Sequence, residues 1–198
     1  VTHNGNPVRS ITMKTDMEKN TTVLKHGQLK WFIIDRNGKL AIRLRDLQSP
    51  LLDQLDSIPA FPVQSEWKVK AEFIPFKEKK TVQVPNVLGN TNEENVPGKL
   101  KFTVKGKEDE LYPLGSRKSM FLIFADETNA EETYGGGRFL SVSKPNDKNI
   151  TYIDFNKAYN PPCAFTPYAT CPLPPRENVL PVKIKAGEKD PGLEVHHH

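Results

Sequence analysis

Trp67-Lys68-Val69-Lys70-Ala71-Glu72-Phe73 alternates apolar and charged residues without a break. Successive side chains of an extended chain point to opposite faces. Trp67, Val69, Ala71 and Phe73 therefore share a buried face, while Lys68, Lys70 and Glu72 share a wet one. The same period returns at Thr81 to Val84 and in Leu100, Phe102 and Val104. Met120-Phe121-Leu122-Ile123-Phe124-Ala125 is apolar throughout, the composition of a core strand covered on both faces. With Arg138 to Val142, Ile150 to Phe155 and Val179 to Ala186, the chain reads as about ten strands.

Upstream, Leu29 to Arg36 and Lys39 to Arg45 flank Asn37-Gly38. Asn-Gly tolerates the positive φ angles of a two-residue hairpin turn, so a hairpin is expected there. Ser49-Pro50-Leu51-Leu52-Asp53-Gln54-Leu55 offers a capping hydroxyl, a proline at the first helical position and apolar residues at helical spacing, which predicts one short helix. The 17 prolines and 12 glycines are spread among the apolar runs and mark turns. The fold expected is mainly β: a twisted antiparallel sheet, sandwich or partly open barrel with one short helix and a long proline-rich loop over 157–178.

A chain of 198 residues fits one domain, expected over 1–193. Glu194 to His198 resembles a cloning scar and the start of a purification tag. The Asn4-Gly5 hairpin signal calls for a strand before it, so the native chain is expected to extend beyond Val1. No apolar run approaches the roughly 18 residues of a membrane-spanning helix. The formal charge of +4 is spread over interleaved Lys, Arg, Asp and Glu, the pattern of a solvated surface and not of a nucleic-acid groove.

The densest motifs lie downstream. They are Phe124-Ala125-Asp126-Glu127-Thr128, Thr133-Tyr134-Gly135-Gly136-Gly137-Arg138-Phe139-Leu140, Asp154 to Phe165, Cys171-Pro172-Leu173-Pro174-Pro175-Arg176-Glu177-Asn178 and Ala186-Gly187-Glu188-Lys189. Together they resemble the uncharacterised domain-of-unknown-function family 1684 over nearly the whole chain, with a weaker correspondence at the Asn37-Gly38 hairpin. The resemblance implies no activity, cofactor or catalytic residue. It does imply a longer N-terminus and, for some members, export.

Asp126, Arg138, Asp154 and Asn156 fall at expected strand ends. If those ends are neighbours, an arginine between carboxylates can bind an anionic group, with the amides of Gly135 to Gly137 close by. The structural alternative has Asp126 capping the next turn, Asp154 pairing with Arg138 and the glycines permitting a bend. Tyr134, Arg138, Asn156, Tyr159, Asn160 and Asn178 are the candidate ligand-binding residues, and the same aromatics can instead pin the loop to a core.

Cys163 and Cys171 are close enough in sequence for a disulfide in an oxidising compartment, worth about 2.5 kcal/mol in the loop-entropy model; two buried thiols are the alternative. No metal is expected, because only His3 and His26 stand outside the tail. No Gly-x-Ser-x-Gly elbow is present, and no cofactor is indicated.

The reading that follows is a binding or structural module of the cell envelope, exported in preference to cytoplasmic, that recognises a small polar or anionic ligand. Its rival is a hydrolase using Asp126 or Asp154 as general base, Arg138 as anion stabiliser and Glu177 as acid. Nothing in the sequence indicates an oligomeric state.

Overall fold

The computed structural model describes residues 1–36, 38–87 and 89–193. Asn37 and the tag-like residues 194–198 lie outside that description. The chain separates into two compact units, Val1–Asp56 and Ser57–His198, where the sequence suggests one domain.

The first unit is a five-stranded sheet built from β1 (Thr2–His3), β2 (Asn6–Pro7), β3 (Leu24–His26), β4 (Leu29–Arg36) and β5 (Lys39–Asp46), in the order β2-β1-β3-β4-β5. The strand that the Asn4-Gly5 turn needs is Thr2–His3, which pairs with Asn6–Pro7. The expected hairpin is β4–β5, in register from Leu29↔Asp46 to Arg36↔Lys39. Gly38 sits at φ 80, and its N–H donates to Asp35 Oδ1 at 2.8 Å. The expected helix shrinks to a 3-10 turn, Pro50–Leu52, capped by Ser49 Oγ, which accepts from Leu51 N. None of its residues is buried, so no packed apolar face propagates the helix further.

The second unit holds β6 (Lys68–Pro85), β7 (Thr91–Val104), β8 (Lys107–Leu111), β9 (Leu114–Ser116), β10 (Ser119–Asp126), β11 (Arg138–Val142), β12 (Ile150–Asp154) and β13 (Val179–Leu180). One sheet runs β12-β6-β7-β8; the other runs β11-β10-β13, with β9 also on β10. The two upstream alternating runs prove to be a single strand, β6, whose pairing with β7 slips between Pro75 and Lys80. Trp67, Val69, Ala71, Phe73, Leu100, Phe102 and Val104 form one face of the main core.

β10 carries both cores. Met120, Leu122 and Phe124 enter the main cluster, and Ile123 enters a second one with Val82, Val84, Val96, Tyr112, Leu114 and Phe139. Burial on both faces is why this strand has no polar alternation. Phe155 joins the layers, edge-on to Phe124 at 5.5 Å and tilted against Phe102 at 5.9 Å.

Two expectations change. Val179 to Ala186 does not form a long strand: only Val179–Leu180 pairs, parallel to Ala125–Asp126. The other strand pairs are antiparallel. The 157–178 segment contains 3-10 turns at Pro162–Ala164 and Arg176–Asn178. It is tied to the end of β6 by Leu173 N donating to Pro85 O at 2.7 Å, and by Val87 N donating to Cys171 O at 3.2 Å. Cys163 and Cys171 are buried with Cα atoms 6.1 Å apart, placed to form the disulfide.

Gly98, paired with Pro75, lets β7 pass close to β6. A Cβ there would lie 2.7 Å from Phe73 Cζ and would also meet Ile74 O. Gly98→Ala is therefore expected to lose about 1–3 kcal/mol through overpacking, read from the urea midpoint; an unchanged midpoint would contradict this packing.

Candidate functional site

β10 ends at Asp126, and the chain turns tightly after it. Asp126 Oδ1 accepts from Thr128 N at 2.9 Å and Thr128 Oγ1 at 2.7 Å, as the capping alternative expects. Thr128 Oγ1 lies 2.9 Å from Thr133 Oγ1. Asn129 Oδ1 accepts from Asp126 N, and its Nδ2 donates to Tyr134 O, each at 2.6 Å. Side chains thus reinforce a turn that backbone bonds also close, Glu127 N donating to Val182 O and Thr133 N to Thr128 O.

Gly137 follows at φ 85, where a Cβ would lie 2.8 Å from Phe124 O and also meet the Pro174 ring. This close approach lets Arg138 enter the ladder opposite Phe124. The Arg138 guanidinium lies 5.3 Å from the Phe124 ring centroid with its side chain 1% exposed. Nη2 donates to Asp126 Oδ2 at 2.6 Å and to Ile184 O at 3.0 Å. Nη1 donates to Ala186 O and, at 3.4 Å, to Glu188 O. Ile184 N in turn donates to Asp126 Oδ1 at 3.1 Å. Burial pulls the Arg138 pKa below its ordinary value, and Asp126 opposes that pull.

The buried pair is therefore a clamp: it wraps residues 184–188 around one charge. Arg138 is not open to an external anion. Asp126, with a fully buried side chain and both oxygens engaged, is not placed as a base. Asp154 does not reach Arg138. It accepts from Asn156 Nδ2 at 3.0 Å and lies 3.8 Å from Lys157 Nζ. Asn156 is engaged structurally as well, accepting from Gln64 N and donating to Gln64 O. Asn178 is fully buried: its Oδ1 accepts from Tyr112 N at 2.7 Å, and its Nδ2 donates to Tyr112 O and Ile123 O. Glu177 is exposed on the same 3-10 turn.

Tyr134, Tyr159 and Asn160 lie along the outer rim of the clamp. Asn160 N donates to Glu188 Oε2, and Asn160 Nδ2 donates to Lys189 O, each at 2.7 Å. These bonds fix the amide orientation. Asn160 Oδ1 is then a buried acceptor with no partner among the described residues, as Arg138 Nε is a buried donor with none. Tyr159 pairs with Phe139 through the backbone and stands edge-on to its ring at 5.9 Å. Its phenol is pushed up by burial, with Glu188 adding to it; the Tyr134 phenol is pushed up by burial, with Asp190 adding.

Glu188-Lys189-Asp190 thus runs past both tyrosines and Asn160, with the Cα atoms of its two acidic residues at most about 7 Å apart. The rim offers acceptors, carboxylates and half-buried rings, a combination suited to a hydrogen-bond-donating ligand. Glu188 and Asp190 were not singled out from the sequence; the available signal was Glu188 following Gly187 in the closing motif. Among the described residues, no group of three or more His, Cys, Asp or Glu could hold a metal ion.

The family described as protein of unknown function (DUF1684) matches residues 53–189. The match leaves out the Asn37-Gly38 hairpin, so it is narrower than the sequence motifs imply. The solution NMR structure of an uncharacterized protein from Haloarcula marismortui is similar, with 26% identity over 70% of this chain and 78% of that one and a TM-score of 0.56. No curated protein matches the chain.

Two outcomes follow from the buried groups. Arg138→Met alone should cost about 3–5 kcal/mol because it strands a buried carboxylate, while Asp126→Leu/Arg138→Met should cost clearly less than the two single changes summed. Urea unfolding of the four proteins checks this, and simple additivity would refute the coupling. Tyr112, buried and donating to Glu110 Oε1, has its pKa pushed up to about 12. A phenol titrates near 10 when unfolded, so this contribution is complete below about pH 10 and fades as pH rises towards 12. Tyr112→Phe should flatten that decline in a urea-midpoint profile against pH.

Proposed function

The chain belongs to the family of unknown function DUF1684, and from that premise we propose that it is a binding module of the cell envelope for a small polar ligand taken at the rim of the Arg138 clamp. The observation that carries this reading is Asn160 Oδ1, a buried acceptor whose own amide is pinned by Lys189 O. A buried acceptor without a donor costs stability, and a hydroxyl or ammonium group at that point would offset the cost. Glu188 stands beside it, and the Tyr159 and Tyr134 phenols feel the carboxylates of Glu188 and Asp190 respectively.

The anionic ligand considered from sequence loses its support at this site, since the Arg138 cation is neutralised by Asp126 and enclosed by carbonyls. The hydrolase reading loses its support for the same reason. The groups assigned as base and anion stabiliser bind each other, and Asp154 belongs to a separate hydrogen-bonded group. The cysteine pair supports export, because disulfides persist where thiols are not kept reduced.

Ligand-observed NMR with a panel of monosaccharides, polyols and amino alcohols provides the test. At least one member should bind to the protein, and Glu188→Gln should weaken that binding about tenfold while leaving the urea midpoint within about 1 kcal/mol of wild type. Absence of binding by every member, or binding indifferent to Glu188→Gln and Asn160→Ala, would refute the assignment.

A further inference from the structure

The β10–β11 pair has a second polar end. Arg138 and Asp126 lie where β10 finishes; Arg117 and Lys118 lie just before it begins, beside the end of β11, since Met120 pairs with Val142. Eight residues of strand separate the two ends, about 24 Å. At the far end, an open hollow is lined by Arg117, Lys118, Lys144, Pro145 and Asp147. Its walls are fixed by the local sequence. Arg117 Nη2 donates to Asn149 Oδ1 at 2.8 Å, and the guanidinium sits 5.7 Å from the ring of Phe73, which is 1% exposed. Asn146 Oδ1 accepts from Lys148 N at 3.0 Å and Ile150 N at 2.9 Å, so the segment carrying Asp147 is a closed turn, with Lys144 two residues before it. Thr151 Oγ1 anchors its start by donating to Ser143 O at 2.8 Å.

The lining of the hollow is predominantly cationic. Several lysines of the second unit stand on carboxylates: Lys99 on Glu110, Lys101 on Glu108, Lys105 on Glu66, Lys183 on Glu131 and Lys185 on Glu132. Lys118 and Lys144 form no ion pair among the described residues. Three cations thus share a concave surface with a single carboxylate, Asp147. Arg117 is held by one Nη2 bond and keeps further donors for a planar or tetrahedral oxyanion.

We propose that this hollow binds a small, free, multiply charged oxyanion, with Arg117 as the fixed fork, Lys118 and Lys144 as mobile counter-charges, and Asp147 as a restraint on affinity. The site is independent of the Arg138 rim and uses the opposite ligand charge.

The test is titration of the 15N-labelled full chain with inorganic phosphate, and separately with citrate, at constant ionic strength made up with chloride. Saturable shifts are expected at the amides of 116–119 and 143–149, with none at Tyr159, Asn160 or Glu188. Lys144→Gln, which removes a charge without removing packing, should weaken binding at least fivefold. Arg117→Gln should weaken it at least tenfold, and Asp147→Asn should tighten it. Shifts that grow linearly without saturating, or that survive Lys144→Gln unchanged, would overturn the proposal. So would binding to anionic phospholipid vesicles with no response to either free anion. Rim shifts alone would overturn it too, leaving the rim assignment intact.

Discussion

A guanidinium that is removed from water needs a counter-charge and acceptors about it, and Arg138 imposes that requirement on the second unit. Desolvating one such charge costs several kcal/mol after relaxation, recovered only where a counter-charge and further hydrogen bonds surround it. Asp126 supplies the counter-charge, and the carbonyls of Ile184, Ala186 and Glu188 supply the acceptors. The Phe124 ring covers one face. Segments far apart in sequence are thereby joined at one point: the end of β10, the start of β11 and the run from Ile184 to Glu188.

This requirement explains features that would otherwise look unrelated. Beyond Leu180, Pro181 brings no N–H to a ladder, Val182 O still accepts from Glu127 N, and the carbonyls of Ile184, Ala186 and Glu188 turn towards Arg138. Gly137 is needed because the backbone must pass Phe124 O closely for Arg138 to enter opposite Phe124. Asn129, Thr128 and Thr133 close the turn after Asp126 because that backbone has left the sheet. Asn160 and Glu188 come together because Glu188 is held where its carbonyl can face Arg138. The rim is therefore a by-product of the clamp's geometry.

Much of the β architecture was legible in local pattern. Period-two alternation places Trp67 to Phe73 on one face, the unbroken apolar run of β10 reports burial on both faces, and Asn37-Gly38 marks a hairpin. Spacing alone brings Cys163 and Cys171 within reach. The partners of polar side chains were not legible, because they are set by tertiary contacts. Asp154 and Asp126 are the same residue type, equally placed at strand ends, and only the folded register gives Arg138 to Asp126. The apolar residues of 179–186 read as a strand because period-two alternation is blind to where carbonyls point. Asn156 and Asn178 look like ligand-binding amides, yet each substitutes for a missing strand partner, of Gln64 and of Tyr112 respectively.

The central claim is that the Arg138 charge is internal to the fold and closed to ligands. The most direct measurement is 15N-detected NMR of the arginine guanidinium groups. On this account the Arg138 side-chain protons exchange slowly with solvent, resolve as separate signals from neutral to mildly alkaline pH, and do not respond to added phosphate. Fast exchange at Arg138, or a saturable phosphate shift of its guanidinium, would contradict the account.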